Sequence, residues 1–151
     1  MSAYVDGLKM LARRELSEAQ VRQRLARRGH AEDAIDAAVR RLQEERAIDD
    51  ARVAEAIART QTAVRGRGKL RVRRQIESAG IPSSVAQRAA DAVFEAVDGD
   101  ALLDAALARR LRGRTTIADR AEAARLYRYL VGQGFEPDAI MKRIRQRMKD
   151  A

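Results

Sequence analysis

Apolar positions recur along the chain in one arrangement: an aliphatic residue, a second aliphatic residue four places on, and a glycine four places after that. It occurs at Val21, Leu25 and Gly29, returns at Val72, Ile76 and Gly80, and again at Leu126, Leu130 and Gly134. The glycines stand 51 and then 54 residues apart. Within five or six residues of each glycine a second aliphatic series begins: Ile35, Val39 and Leu42; Val85, Ala89 and Val93; Ile140, Ile144 and Met148. A third series precedes each arrangement, at Leu8 and Leu11, at Val53, Ala54 and Ile57, and at Leu103, Leu107 and Leu111. Steps of three and four place each series on one helix face. A glycine between two such series is the expected C-terminal cap, because it enters the left-handed region without a Cβ clash.

The punctuation agrees with three helices per unit. Ser17 and Gln20 have the spacing of a capping box, and Asp49-Asp50 can cap the helix that carries Val53. Pro82 and Pro137 stand two or three residues after a repeat glycine, where a helix start tolerates a missing N–H. No segment sustains strand alternation. The pattern predicts an all-α fold of three tandem three-helix repeats forming an elongated, curved helical array, with repeats at 1–49, 50–98 and 99–151. Segments 98–103 and 112–120 read as flexible joints, the second holding the three extra residues of the third repeat.

Composition narrows the function classes. Aromatics are 3% and Trp is absent, so the core must come from Leu, Ile, Val and Ala. There is no cysteine, hence no disulfide framework or thiolate metal site. No leader-like or membrane-length apolar run is present in the sequence, so the expectation is a soluble, cytoplasmic protein. The net charge of +9 favours a polyanionic partner. That excess is uneven: 10 cations against 9 acids over residues 1–49, 9 against 6 over 50–99, and 12 against 7 over 100–151.

The stretch AVRGRGKLRVRRQIESAG, residues 63–80, concentrates that charge. Arg65, Arg67, Lys69, Arg71, Arg73 and Arg74 fall within ten positions, and no acid stands between Glu55 and Glu77. A nucleotide-binding P-loop needs a glycine five residues before its Gly-Lys pair and a hydroxyl residue after the lysine; Ala63 and Leu70 occupy those places. With Val72, Ile76 and Ala79 facing the core, Arg67, Arg71 and Arg74 line another face of a helix beginning near Gly68. They crowd the positive end of that helix, which costs stability. A contact surface for an anionic partner follows. Lys142, Arg143, Arg145, Arg147 and Lys149 form a second candidate face, and Arg109, Arg110, Arg112 and Arg114 flank the second joint. Arg13, Arg14 and Arg22 carry three further charges in a region with nearby acids. His30 takes the slot of Ile81 and Phe135 and reads as a packing substitution. No nucleophile–base pair, cofactor box or metal cluster emerges from spacing.

LARREL, LARRG, IDDARVAEAI, RGRGKLRVRRQIESAGI and LYRYLVGQGFEPDAI, in this order from about Gly7 to Met148, resemble the RecX family of bacterial recombination regulators. The most specific block runs through Asp49, Asp50, Arg52 and Ala54, then Gly66, Gly68, Arg71 and Val72, then Gly80-Ile81. The resemblance implies a non-enzymatic, cofactor-free protein that binds in the groove of the RecA nucleoprotein filament and restrains filament growth, ATPase, strand exchange and coprotease functions. The residues by themselves also suit a basic helical protein that binds single- and double-stranded DNA directly, weakly and without sequence preference.

An end-to-end series of units has no self-complementary apolar patch and forms a monomer. Small-angle scattering is expected to give a radius of gyration clearly above the roughly 15 Å of a compact chain of this length. A compact value, or a dimer mass independent of concentration, would contradict it.

Overall fold

The computed structural model describes residues 1–148 and contains nine α-helices and no strand among them. The first unit holds α1 (Ala3–Arg13), α2 (Glu18–Arg27) and α3 (Glu32–Glu44). The second holds α4 (Asp50–Arg59), a π-helical turn (Thr60–Val64), α5 (Lys69–Ser78) and α6 (Ser83–Ala96). The third holds α7 (Gly99–Leu111), α8 (Arg120–Gly132) and α9 (Pro137–Arg147). Each unit has its own hydrophobic cluster, centred on Leu16, Leu25 and Leu42, on Val72, Ile76 and Ala90, and on Leu107, Leu130 and Ile140. The solvent-accessible surface is 9382 Å², about a fifth above the roughly 7,650 Å² that size scaling gives a compact chain of this mass.

The helix starts follow the capping chemistry. Ser17 and Gln20 close a reciprocal capping box on α2. Asp49 caps α4 through the Arg52 N–H, and Asp119 caps α8 through that of Glu122. Residues 98–103 are not a flexible joint: Asp98 accepts from the N–H groups of Asp100 and Ala101, so only two residues separate the end of α6 from the start of α7. The longer connection lies at residues 112–119, where Arg112 is left-handed (φ 49°) and Gly113 follows at φ 86°.

Two buried faces differ from the periodicity reading. Leu8 is 39% exposed and Leu11 half-buried; α1 instead turns Ala3, Asp6, Gly7 and Met10 inward. A Cβ on Gly7 would lie 2.8 Å from Leu42 Cδ1, so glycine brings α1 close onto α3. Asp6 conceals this face in the sequence because it is polar. It is buried and meets His30, with His30 Nε2 2.6 Å from Asp6 Oδ2. His30 therefore does more than replace an apolar neighbour: it partners a carboxylate that burial would otherwise penalise. The hydrogen bond with His30 and the nearby Arg28 guanidinium hold the Asp6 carboxyl below its ordinary value, against desolvation. In α6 the innermost residues are Ala86 and Ala90, whose small side chains admit α4 and α5, while Val85, Ala89 and Val93 are half-buried along a trough beside α4.

The units join through their middle helices, end to end. At the N-terminus of α5, Gly68 N–H donates to Gln133 O (2.8 Å) and Leu70 N–H to Gly134 O (3.0 Å), both just beyond the C-terminus of α8. Arg71 Nη1 adds a bond to Gly132 O at 3.0 Å. Free amides of one helix thus satisfy free carbonyls of another, with the dipoles head to tail. At the next joint the Ser17 hydroxyl, at the start of α2, donates to Ala79 O at the end of α5 (2.5 Å). Arg52 secures that joint from the side, bonding Glu15 in bidentate fashion at 2.8 and 2.9 Å and the carbonyls of Arg46 and Ala47. Asp50 accepts the Glu18 N–H.

Glycine is required where the ends meet. A Cβ on Gly68 would lie 2.5 Å from the Gly134 carbonyl, and one on Gly134 2.4 Å from the Arg71 nitrogen. Gly29, the repeat glycine of the first unit, has φ 88° but nothing within 4 Å of its hypothetical Cβ. Gly29→Ala is therefore expected to cost only left-handed strain, about 1–2 kcal/mol. Gly134→Ala carries the same strain plus the clash and is expected to cost at least about 2 kcal/mol more. Chemical unfolding of both variants checks this; equal losses would mean that the joint yields without penalty.

Candidate functional site

The basic stretch is built around the joint between the second and third units. Of its two glycines, Gly66 turns the chain at φ 64° after the π-helical turn, and Gly68 lets α5 abut α8. Arg67 precedes the helix, since Gly68 is the N-cap and α5 begins at Lys69. Arg67, Arg71 and Arg74 thus do not line one helix face. The expected electrostatic penalty at this helix start is offset as well, because the negative end of α8 lies against it and Arg71 bonds a carbonyl there.

Six of the candidate cations form ion pairs or hydrogen bonds within the protein. Lys69 pairs with Asp91 at 2.5 Å and Arg73 with Glu77 at 3.3 Å. Arg71 bonds Gly132 O, and Arg147 reaches Thr115 O at 3.5 Å. Arg143 pairs with Asp104 at 3.0 Å and Asp100 at 3.4 Å and is 16% exposed, so it ties α9 to α7 rather than facing outward. Arg114 forms a fork with Glu122. Arg65, Arg74, Arg112, Lys142 and Arg145 are exposed and have no carboxylate within ion-pair reach among the described residues. Lys149 lies outside the described residues.

Arg73 Nε, although 3.3 Å from Glu77, makes no hydrogen bond among the described residues, and Arg67 lacks even an ion-pair partner there. Arg67 is half-buried, and its Nε and Nη1 atoms are shielded from solvent without a hydrogen-bond partner among the described residues. Arg109, from α7, reaches the Gly66 turn: its Nη2 lies 3.4 Å from the position a Cβ on Gly66 would take. Arg109 of the third unit thus comes to the turn that Arg65 and Arg67 of the second unit flank, a grouping across 44 residues that no local spacing reveals. A desolvated guanidinium lacking an anion is costly, and a phosphate or carboxylate brought by a partner removes that cost. Among the described residues no group of three His, Cys, Asp or Glu side chains is placed to hold a metal ion, and no helix is long and apolar enough to cross a membrane.

Capped three-helix units linked through their middle helices, with cations near a joint, define a tandem helical-repeat protein with an exposed basic surface. Models of the first and second RecX three-helix domains match residues 3–42 and 49–89. The chain is 35% identical to the regulatory protein RecX of Chromohalobacter salexigens, over 89% of this chain and 86% of that one. It is 32% identical to the regulatory protein RecX of Geobacillus kaustophilus, over 91% of this chain but 51% of the longer relative. The crystal structure of RecX from Lactobacillus salivarius superimposes with a TM-score of 0.76 at 21% identity, covering 95% of this chain and 93% of that one. The chain belongs to the RecX family of regulatory proteins.

The connection at residues 112–119 is clamped by one carboxylate. Glu122 accepts from both Arg114 Nη atoms, at 3.0 and 2.6 Å, and from the Ala118 N–H at 2.9 Å. These donors, the Arg114 guanidinium first, lower its pKa from the ordinary 4.5 to about 2. A depressed carboxyl stabilises the fold above its unfolded value and ceases to do so as pH falls through the folded value. The clamp is therefore complete above about pH 4.5 and released near pH 2. An NMR titration is expected to place the Glu122 midpoint near 2 in the wild type and closer to the ordinary value in Arg114→Ala. An ordinary midpoint in the wild type would show that the fork does not persist in solution.

Proposed function

We propose that this protein is a non-enzymatic, cytoplasmic regulator that binds as a monomer in the groove of the RecA nucleoprotein filament. There it restrains filament growth, ATPase, strand exchange and coprotease functions. Family membership supports the reading, and the observation that carries it here is the cluster at the joint between α5 and α8. Arg65, Arg67 and Arg109 come from two units, and Arg67 holds buried, unpartnered donors. A filament groove lined by phosphates and acidic side chains supplies the acceptors. Arg74, Arg112, Lys142 and Arg145 add exposed positive charge. Direct binding to bare DNA is the second reading; the same cations favour it, as a weak, salt-sensitive and sequence-indifferent interaction.

The two readings separate when binding to bare single-stranded DNA is compared with binding to the same DNA coated with RecA and a non-hydrolysable nucleotide. A filament binder needs the coat for tight binding. Replacement of Arg65, Arg67 and Arg109 by Ala is expected to raise the concentration for half-inhibition of the RecA DNA-dependent ATPase at least about tenfold, the equivalent of about 1.4 kcal/mol. A charge-matched control replaces Arg22, Arg41 and Arg59, which pair with Glu18 and Asp36, with Glu45, and with Glu55. That control is expected to inhibit within about twofold of wild type. Equal weakening by both sets would reduce the surface to net charge, and wild-type inhibition by both would remove the joint from the interface.

A further inference from the structure

A second group of cations lies in the first unit, away from this joint. The C-terminal halves of α1 and α2 enclose a cleft of about 440 Å³ lined by Lys9, Arg13, Arg14, Arg24, Arg27 and Arg28, together with Met10. No carboxylate lines it. Arg28 has one acidic neighbour, Asp6 at 3.5 Å, and Lys9 Nζ has the Met1 sulfur at 3.5 Å. Arg13, Arg14, Arg24 and Arg27 have no hydrogen-bond acceptor among the described residues. The acids that stand near Arg13 and Arg14 in sequence are engaged elsewhere: Glu15 with Arg52, and Glu18 with Arg22.

Two observations make this more than a solvated helix end. The first is internal comparison. Counted from the repeat glycine, Arg24, Arg27 and Arg28 correspond to Gln75, Ser78 and Ala79 in the second unit and to Tyr129, Gly132 and Gln133 in the third. The same helix packs in the same way there with no cation at any of the three positions, so the architecture does not need them. The second is the open end. The C-termini of α5 and α8 receive the next helix, whereas nothing approaches Gly29 at the end of α2. A helix C-terminus favours a nearby cation, but six around one cleft exceed what a half-charge can balance.

We propose that this cleft is a binding site for consecutive phosphate groups. Guanidinium and ammonium groups offer donors and no acceptors, so a ligand made of acceptors alone leaves nothing unsatisfied. A phosphate run meets that condition and matches the guanidinium fork. No aromatic ring or carboxamide lines the cleft, so bases are neither stacked nor read. The phosphates belong either to the backbone of a single-stranded nucleic acid or to a free oligophosphate. The site stands apart from the proposed filament contact, and its test contains no recombinase.

The experiment measures the full chain against labelled oligothymidylate by fluorescence anisotropy across a salt series, with sodium tripolyphosphate as competitor. Replacing Arg13, Arg24 and Arg27 by Ala is expected to weaken binding at least about tenfold at low salt and to flatten the slope of log K against log salt by about 2, at roughly 0.7 counterions per contact. The ion-paired control, Arg22, Arg41 and Arg59 to Ala, is expected to stay within about twofold. Lys at the three cleft positions keeps the charge and loses the fork, and its loss should fall between the two; it serves also if the Ala variant fails to fold. Displacement by tripolyphosphate at equimolar charge identifies a free oligophosphate as the source, and failure to displace identifies the strand; both support the site. Cleft and control variants that bind alike overturn the proposal, as does polyglutamate displacing the strand as well as polyphosphate of equal charge. Self-association of the cleft variant without loss of binding overturns it too, leaving the arginines as a bar to end-to-end docking.

Discussion

The contact between the N-terminus of α5 and the C-terminus of α8 organises the molecule. Each helix end has backbone groups that its own helix cannot satisfy, and Gly68, Leu70, Gln133 and Gly134 satisfy them across the joint instead. Gly68 has no side-chain cap because the neighbouring unit does that work. The requirement for close approach then fixes glycine on both sides, and Arg71 can occupy the positive end of its helix because it meets a carbonyl there. The same geometry, with the Ser17 hydroxyl in place of a direct amide contact, links α5 to α2. Three small cores, each too small to be secure alone, thus share a line of aligned dipoles.

This constraint reassigns much of the positive charge. Arginines that look alike in sequence divide into those that hold the protein together and those that face outward. Arg52, Arg71, Arg114 and Arg143 bind carbonyls or carboxylates across units and helices. Arg67 and Arg109 converge where two units meet, and Arg13, Arg24 and Arg27 where two helices of one unit do. Counting charge along the chain ranks the first fifty residues as nearly neutral. In space four of their acids, Glu15, Glu18, Asp36 and Asp49, pair with Arg22 and Arg52 away from the cleft, which leaves a cationic cleft that the count conceals.

The helical order, the caps and most of the core were legible in the sequence because each leaves a local signature: a period, a capping residue, a glycine after the last turn. Ile76, Leu130 and Ile144 are buried where the spacing places them. Three things were not legible, and each depends on a partner distant in sequence. The inward face of α1 is carried by an aspartate whose histidine lies 24 residues away. Gly68 of the basic stretch serves the end of α8 in the next unit, and the arginine grouping at the joint spans two units. Periodicity reports which face a helix turns inward, but not what stands at its ends.

The open C-terminus of α2 gives the array a direction of growth. A unit appended after α9 could set the end of its middle helix beneath the start of α8, repeating a joint made largely of backbone atoms and therefore indifferent to most side chains. A unit added before α1 would have to bring the positive end of a helix against Arg27 and Arg28, and would be repelled. Duplication can therefore lengthen this architecture at one end in whole steps, leaving the existing units and their contacts unchanged.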